Sequence, residues 1–497
     1  MNRTAIFLPM ALALLAATAL PAMAQNAPGK AFEQPVNMAP AVTRHKGEFG
    51  GQKLRYTATV ESLPVRLASG ESANVGSFTY TRDGVDAAKR PVMFLFNGGP
   101  ITPSLYVHVG GIGPKRVAFP DDVKAPPSTF RLVDNLHSPL DVVDLVFVDP
   151  ASTGFSRVDH GTKPADFFSN RQDAAQFVAF IRAWQKRHGR EKSPVHLFGE
   201  SYGTHRVAEI AAQVAADPDP IPLAGIFAYG QAINVVEWSQ RPANIISYVA
   251  SLPTIAATGW FHGKVDRKGR SVEQFIAEAS AWGEGPYLTA LYQGAALPEA
   301  ARREIAGKLE GYSGIPADWY LAHDLRITKE QYRVELLKAD RRILGQLDAR
   351  YTAPIADAGG AQDPSGVIVE AVQSHFRTYL QRDLGVQNVD AYLTGSPVGG
   401  MRAWDWGGTG AGPFADWPYH RGLVEWMGKN PKARLVVGNG YFDTLTTLGG
   451  AELLVNQAGF DRDRVSLRYY DGGHMGYSVD AVAKQIGDDI RALVRAD

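Results

Sequence analysis

Val195-His196-Leu197-Phe198-Gly199-Glu200-Ser201-Tyr202-Gly203 is the stretch from which the fold is read. An apolar run closes on G-x-S-x-G, and a helix-forming segment, His205 to Ala216, follows at once. That order writes a strand, a sharp turn and a helix, the arrangement that lifts a serine hydroxyl above the edge of a sheet. Glycine flanks the serine because the backbone there is strained and packed against its neighbours, so a Cβ would collide. The N-terminus of the following helix stands behind Ser201 and favours negative charge beside it. Alone, the pattern is short enough to be a plain loop. The strand before it, the helix after it and partners downstream give it weight.

Outward from this turn, the text alternates between buried-strand and helix patterns. Pro91 to Phe96 is a continuous apolar run ending in Asn97-Gly98-Gly99-Pro100, and Val142 to Val148 is a second, ending in Asp149-Pro150. A helix-period segment from Asp173 to Arg187 leads into the strand at Val195, and Leu223 to Tyr229 is a further strand. Upstream, Leu54 to Val60, Val65 to Leu67 and Val75 to Tyr80 read as antiparallel edge strands. Strand, helix, strand repetition predicts an α/β protein with an open, mostly parallel sheet covered by helices on both faces. From Val235 to Gly428 the rhythm breaks into helical and aromatic text, with charged helices predicted at Glu299 to Leu309 and Lys329 to Gln346 and a Gly/Ala/Pro-rich loop at Ala353 to Gly366. Sheet-like text returns at Arg434 to Val437 and Val465 to Tyr470. A closing helix then puts Val479, Val482, Ile486, Ile490, Leu493 and Val494 on one face. The expected organisation is a core of residues 51–234 and 429–497 with a mainly helical cap inserted at 235–428.

Residues 1–24 read as a secretory signal peptide. A charged start and an apolar segment from Ala5 to Leu20 precede Ala22-Met23-Ala24, a small-residue cleavage site. The apolar core is shorter than the roughly 20 residues of a membrane span, so stable membrane insertion is not expected. Residues 25–50 lack a period and read as a flexible leader. Export is expected, to the periplasm or beyond, yet the chain has no cysteine, so its stability comes from packing rather than disulfides. Removing the signal peptide leaves about 470 residues, room for one large domain with an insertion or for two domains. Lys+Arg and Asp+Glu balance at 51 each, which gives no electrostatic reason to expect a nucleic acid partner.

A serine hydroxyl is a poor nucleophile near neutrality. It needs a base within hydrogen-bond reach and a carboxylate that fixes the base's tautomer. In α/β-hydrolases these follow in the order Ser, Asp, His. Asp443 follows the strand at Arg434, and His474, flanked by glycines, follows the next strand. Ser201, Asp443 and His474 are therefore the candidate triad. The oxyanion donors expected are the amide of Tyr202 and one from the Asn97-Gly98-Gly99 loop, where glycine allows close backbone approach. Trp404, Trp406, Trp417 and Trp426 read as core rather than pocket lining.

NGGP at Asn97 to Pro100, DPASTGFSR at Asp149 to Arg157, GESYG at Gly199 to Gly203, GYFD at Gly440 to Asp443 and GHM at Gly473 to Met475 occur in the order found in serine carboxypeptidases, which the chain resembles over most of its mature length. The resemblance implies an α/β-hydrolase fold with a cap and removal of a peptide's C-terminal residue through an acyl-enzyme, with no metal or organic cofactor. It also implies that Asn97 and Glu200 bind the substrate's terminal carboxylate and that Gly99 and Tyr202 form the oxyanion hole. A glutamate that binds a carboxylate must be protonated, so acid-favoured peptidase activity is expected. Two departures stand on that side of the site. Ile101-Thr102-Pro103 follows NGGP, and Gly110-Gly111 stands where the family commonly has a glutamate before a G-P pair. They leave open an esterase, acyltransferase or aminopeptidase on the same fold. A catalytically dead binding protein is the rival of another class.

Overall fold

The computed structural model describes residues 40–355, 363–395, 403–407, 416 and 419–496. Nine strands form the main sheet: β1 Ala41–Phe49, β2 Gln52–Arg66, β3 Ser72–Arg82, β4 Val92–Phe96, β5 Asp144–Val148, β6 Val195–Glu200, β7 Leu223–Tyr229, β8 Arg434–Gly440 and β9 Val465–Tyr470, with a two-residue strand, Arg157–Val158, beside β3. Their order is β1-β2-β3-β5-β4-β6-β7-β8-β9. β1 to β3 are antiparallel and β3 meets β5 antiparallel, whereas β5, β4, β6, β7, β8 and β9 run parallel. This is the α/β-hydrolase fold. Because the strand order reverses direction around β4 and β6, the loops at their carboxyl ends open a crevice there. Ser201 and the Asn97 loop both leave the sheet at that place.

The helices divide into three sets. α1 Asn170–His188 and α2 Gly203–Ala216 cover one face of the sheet. α3 Ile245–Phe261, α4 Val272–Trp282, α5 Glu299–Ser313 and α6 Lys329–Glu335 build the cap. α7 Gly366–Arg382, α8 Arg421–Lys429, α9 Leu448–Gln457 and α10 Asp480–Arg495 return to the core. Alternation along the strands sorts the core. Phe94, Val146, Leu197, Ile226 and Val437 meet Phe177, Trp184, Val207, Leu423 and Leu454 on one face. Leu95, Phe147, Phe198, Phe227 and Val436 meet Phe376, Tyr379, Ile486 and Ile490 on the other. The cap has its own apolar cluster, from Tyr248 to Ala349, joined to the core through Tyr441, Phe442 and Leu448.

The structure departs from the sequence reading in four places. The segment expected to be leader up to residue 50 contains β1, in register from Ala41 opposite Val60 to Phe49 opposite Gln52. Its charged residues hide an alternation that only the β2 partner makes useful. Second, β2 runs unbroken through Pro64. On its β3 side Pro64 lies opposite Asn74 and the ladder continues past it to Arg66 opposite Ser72. Third, the helix expected from Lys329 to Gln346 stops at Glu335. Arg342–Leu344 instead pairs antiparallel with Thr352–Pro354, after a turn in which Arg341 has φ +56°. Fourth, the inserted segment is not all cap. α7 packs in the second core face and α8 in the first. The expected signal peptide at residues 1–24 and Trp417 lie outside the described residues, as does half of the Gly/Ala/Pro-rich loop at Ala353 to Gly366. Among the described residues no helix is long and apolar enough to cross a membrane.

Trp184 lies within the first face. It is fully buried, meets Phe94 edge-on at 5.4 Å and donates its indole N–H to Thr79 Oγ1 at 3.0 Å. Truncating a buried tryptophan leaves a cavity as well as losing transfer energy, so Trp184→Ala is expected to cost about 3–5 kcal/mol of unfolding free energy. Urea titration measures it, and a loss below about 1 kcal/mol would contradict this packing.

Candidate active site

The turn after β6 has the strain its sequence implies. Ser201 has φ +59°, a left-handed conformation that costs a non-glycine residue about 1–3 kcal/mol and persists only where its surroundings fix it. Its amide donates to Tyr229 O at 3.0 Å, and its carbonyl accepts from Thr204 Oγ1 at 2.7 Å. Glycine is required on both sides of the crevice. A Cβ on Gly199 would strike the backbone of Gly203, and one on Gly98 would strike the Tyr202 amide and sit 2.7 Å from Glu200 O. Gly99 has φ +106°. The Asn97 loop therefore lies backbone against backbone on the start of α2, with Gly99 and the amide of Tyr202 on the two facing segments.

Asp443 and His474 leave the ends of β8 and β9, and the structure brings them together. His474 Nδ1 lies 2.6 Å from Asp443 Oδ2. Asp443 is wholly buried, and its other contacts fix its orientation. The amides of Leu445 and Thr446 donate to Oδ1 at 2.8 and 2.9 Å, and the Thr446 hydroxyl donates to Oδ2 at 2.6 Å. With Nδ1–H committed to Asp443, the lone pair of neutral His474 falls on Nε2, the nitrogen a base must use. Ser201 and His474 each touch the segment Tyr229–Gly230. The serine amide is bonded to Tyr229, and the His474 ring packs on Gly230 so closely that a Cβ there would be 3.1 Å from Cε1. Burial works against a charged His474, but the Asp443 carboxylate, by charge and hydrogen bond, more than offsets it and holds the imidazole above the ordinary histidine range.

Glu200 adjoins this pair. It is 3% exposed, and its Oε2 accepts from Asn97 Nδ2 at 3.0 Å and from the Tyr477 hydroxyl at 2.7 Å. Asn97 is oriented in turn by Val107 N–H, which donates to its Oδ1 at 3.1 Å. Burial pushes the Glu200 carboxyl up to about 7, and the Asp443 charge adds to the rise. Imidazolium at His474 and the two side-chain donors oppose it. Asn97 and Glu200 are thus in contact.

Three features of the site carry no readable signal in the sequence. Thr446, three residues after Asp443, completes the shell of the carboxylate. Tyr477, three residues after His474, reaches Glu200, and its ring fills the space beside Gly111, where a Cβ would be 2.7 Å from Cδ2. The departure at Gly111 is therefore steric: nothing larger than glycine fits beside that ring, and the tyrosine brings its own hydroxyl to Glu200. The third feature is a cap segment, Gln346 to Arg350, that crosses both catalytic loops. Gln346 O accepts from Thr444 Oγ1 at 2.7 Å, Leu347 O from the His474 amide at 2.6 Å, and Phe442 O from the Ala349 amide at 3.0 Å. Arg350, paired with the buried Asp348 at 2.6 Å, also donates to Asp471 O at 3.4 Å.

The second departure, Ile101, points into the first core face rather than the crevice. Trp404 and Trp426 are buried core residues as expected. Trp404 and Trp406 also stand edge-on to the Tyr202 ring at 5.1 and 5.8 Å, and the Tyr202 hydroxyl donates to Asn170 Oδ1 at 2.9 Å. The aromatic ring next to the nucleophile is therefore immobilised.

Residues 77–246 match the serine carboxypeptidase family. Over 126 residues, 25% of this chain, the sequence is 30% identical to serine-type carboxypeptidase F of Aspergillus niger, so the match spans about a quarter (23%) of that relative's length. Similar solved structures include a putative aryl esterase from Burkholderia cenocepacia, 12% identical with a TM-score of 0.34 over 88% of this chain and 100% of the other. A Pyrococcus furiosus esterase is 9% identical with a TM-score of 0.35 over 88% and 92%. The family match contains Asn97, Gly99, Glu200, Ser201 and Tyr202, while Asp443 and His474 lie beyond it and stand on the geometry above.

If Asp443 fixes the histidine tautomer, Asp443→Asn leaves Nδ1 facing an amide and places the proton on the wrong nitrogen. Turnover of a chromogenic ester is expected to fall about 10⁴-fold with circular dichroism unchanged. Loss below about tenfold would remove Asp443 from the proton path.

Proposed function

We propose that the protein is a serine-type carboxypeptidase that cleaves the C-terminal peptide bond of peptides through an acyl-enzyme. Ser201 attacks the scissile carbonyl, and His474 takes its proton and passes it to the departing amine. Asp443 orients the imidazole, and the amides of Gly99 and Tyr202 receive the oxyanion. The observation that carries the reading is the buried Asn97–Glu200 contact one residue from the nucleophile and next to His474. Two adjacent groups of that kind, an amide donor and a carboxyl held protonated, suit a substrate that ends in a carboxylate. An esterase needs neither.

The sign of the pH dependence follows from the two groups. Below about 7 Glu200 is protonated and donates to the substrate carboxylate; above it the glutamate is ionised and repels that carboxylate. His474 must be neutral to act as base, so activity climbs as pH rises through its raised value. Because Glu200 and His474 act on each other, these limbs belong to the pair. For a free-acid peptide kcat/KM is expected to rise, peak near neutrality and fall above about 7, whereas its C-terminal amide keeps only the rising limb. Identical profiles for the two substrates would remove the carboxylate-binding role from Glu200.

Covalent labelling by a fluorophosphonate tests the nucleophile. The label is expected on the wild-type protein and absent from Ser201→Ala, and mass analysis of a peptide-library digest is expected to show single C-terminal residues removed. Release from the N-terminus would make it an aminopeptidase, turnover of esters alone an esterase, and failure to label a binding protein on this fold.

A further inference from the structure

Arg206, one turn into α2, is fully buried. A guanidinium cannot lose its charge in a protein, so burying it requires partners for its five N–H groups. Asp173, from α1 and itself 1% exposed, supplies two: Nε donates to Oδ2 at 2.7 Å and Nη2 to Oδ1 at 3.0 Å. Asp173 is held for this by Gln176, whose Nε2 donates to Oδ1 at 3.0 Å. The rings of Phe96, Phe177 and Tyr202 lie 5.1, 4.4 and 5.4 Å from the guanidinium carbon and exclude water from it. The remaining bonds go to the loop after β4. Nη1 donates to Asn97 O at 2.6 Å, and Nη2 to Pro100 O at 3.0 Å.

Those two carbonyls bracket the loop residue assigned to the oxyanion. Between them, Gly98 O accepts from Thr102 N at 3.2 Å. A trans peptide is planar with its C=O and N–H opposed, so fixing Gly98 O aims the N–H of Gly99 in the opposite direction. Arg206 anchors the loop on either side of that plane. We propose that Arg206, charged and fixed by Asp173, is a positioning residue of the oxyanion site: it holds the Asn97–Pro100 loop so that the Gly99 amide faces the amide of Tyr202. One helix then governs both donors, because α2 carries Tyr202 at its start and the clamp on the other donor one turn later. The proposal rests on Ser201 being the nucleophile.

Misaligned donors bind the tetrahedral anion poorly and leave ground-state binding intact, which a merely structural role would not produce. Arg206→Lys keeps the charge and loses the planar fork. The double variant Arg206→Met, Asp173→Leu removes both buried charges together and avoids the stranded carboxylate that a single removal would leave. Asp173→Asn keeps the bonds from Arg206 to the loop. Kinetics on a chromogenic ester are normalised to sites titrated by fluorophosphonate run to completion, so unfolded protein does not count. Per titrated site, Arg206→Lys and the double variant are expected to lose about 10²-fold in kcat with KM within about twofold, whereas Asp173→Asn is expected to lose less than about tenfold. A peptidyl boronic acid, which forms the tetrahedral anion on the serine, is expected to lose affinity in the same proportion as kcat, and a product peptide none. Unchanged kcat per titrated site, or equal losses for boronic acid and product, would overturn the proposal. A wild-type protein that does not titrate at all, or a Ser201→Ala variant that still turns over, overturns the nucleophile assignment instead.

Discussion

The close approach of two backbones, the Asn97 loop and the turn at Ser201, is the constraint on which the site depends. A side chain at Gly98 or Gly199 would separate them, and Ser201 must adopt a left-handed conformation to lie between. That strain has no local relief. It is held by the Ser201–Tyr229 bond to the neighbouring strand and by the Thr204 bond at the head of α2, both anchored in a sheet whose inner strands are entirely buried. The rigidity of the sheet is thus transmitted to a single hydroxyl, and Ser201 and the amides of Gly99 and Tyr202 belong to one stiff unit rather than to separate loops.

Charge in the site is arranged around a deficit of water. Glu200, Asp443 and His474 are each at most 5% exposed. Asp443 accepts from three donors besides the imidazole, His474 is drawn toward the protonated form by Asp443, and Glu200 is drawn toward neutrality by burial. Glu200, raised by burial, and His474, raised by Asp443, also act on each other, so the protonation of either depends on that of the other.

Much of the fold was legible because its signals are local. The parallel strands β4 and β7 are uninterrupted apolar runs, β6 and β8 carry shorter ones, and α10 shows a single apolar face. The order of the motifs puts Asp443 and His474 after consecutive strands, and the structure places their side chains in hydrogen-bond contact. What could not be read depends on distant partners. β1 is a strand only because β2 accepts it, and Arg342–Leu344 leaves the helical pattern because Thr352–Pro354 pairs with it. Tyr477 belongs to the site only because its ring meets Gly111 and its hydroxyl meets Glu200, contacts between residues far apart in sequence. Arg206 looks like any polar residue on an amphipathic helix until α1 and the Asn97 loop close over it.

The cap segment Gln346 to Arg350 bonds the loop bearing the acid and the loop bearing the base at once, through Thr444, Phe442, Asp471 and the His474 amide. The insertion is therefore not an interchangeable lid. A graft that exchanged it for another cap to alter substrate choice would also cut the crosspiece that keeps the two catalytic arms at a fixed span. Because Gln346, Leu347 and Ala349 hold those loops through backbone atoms, it is the path of this segment, more than its side chains, that sets the span.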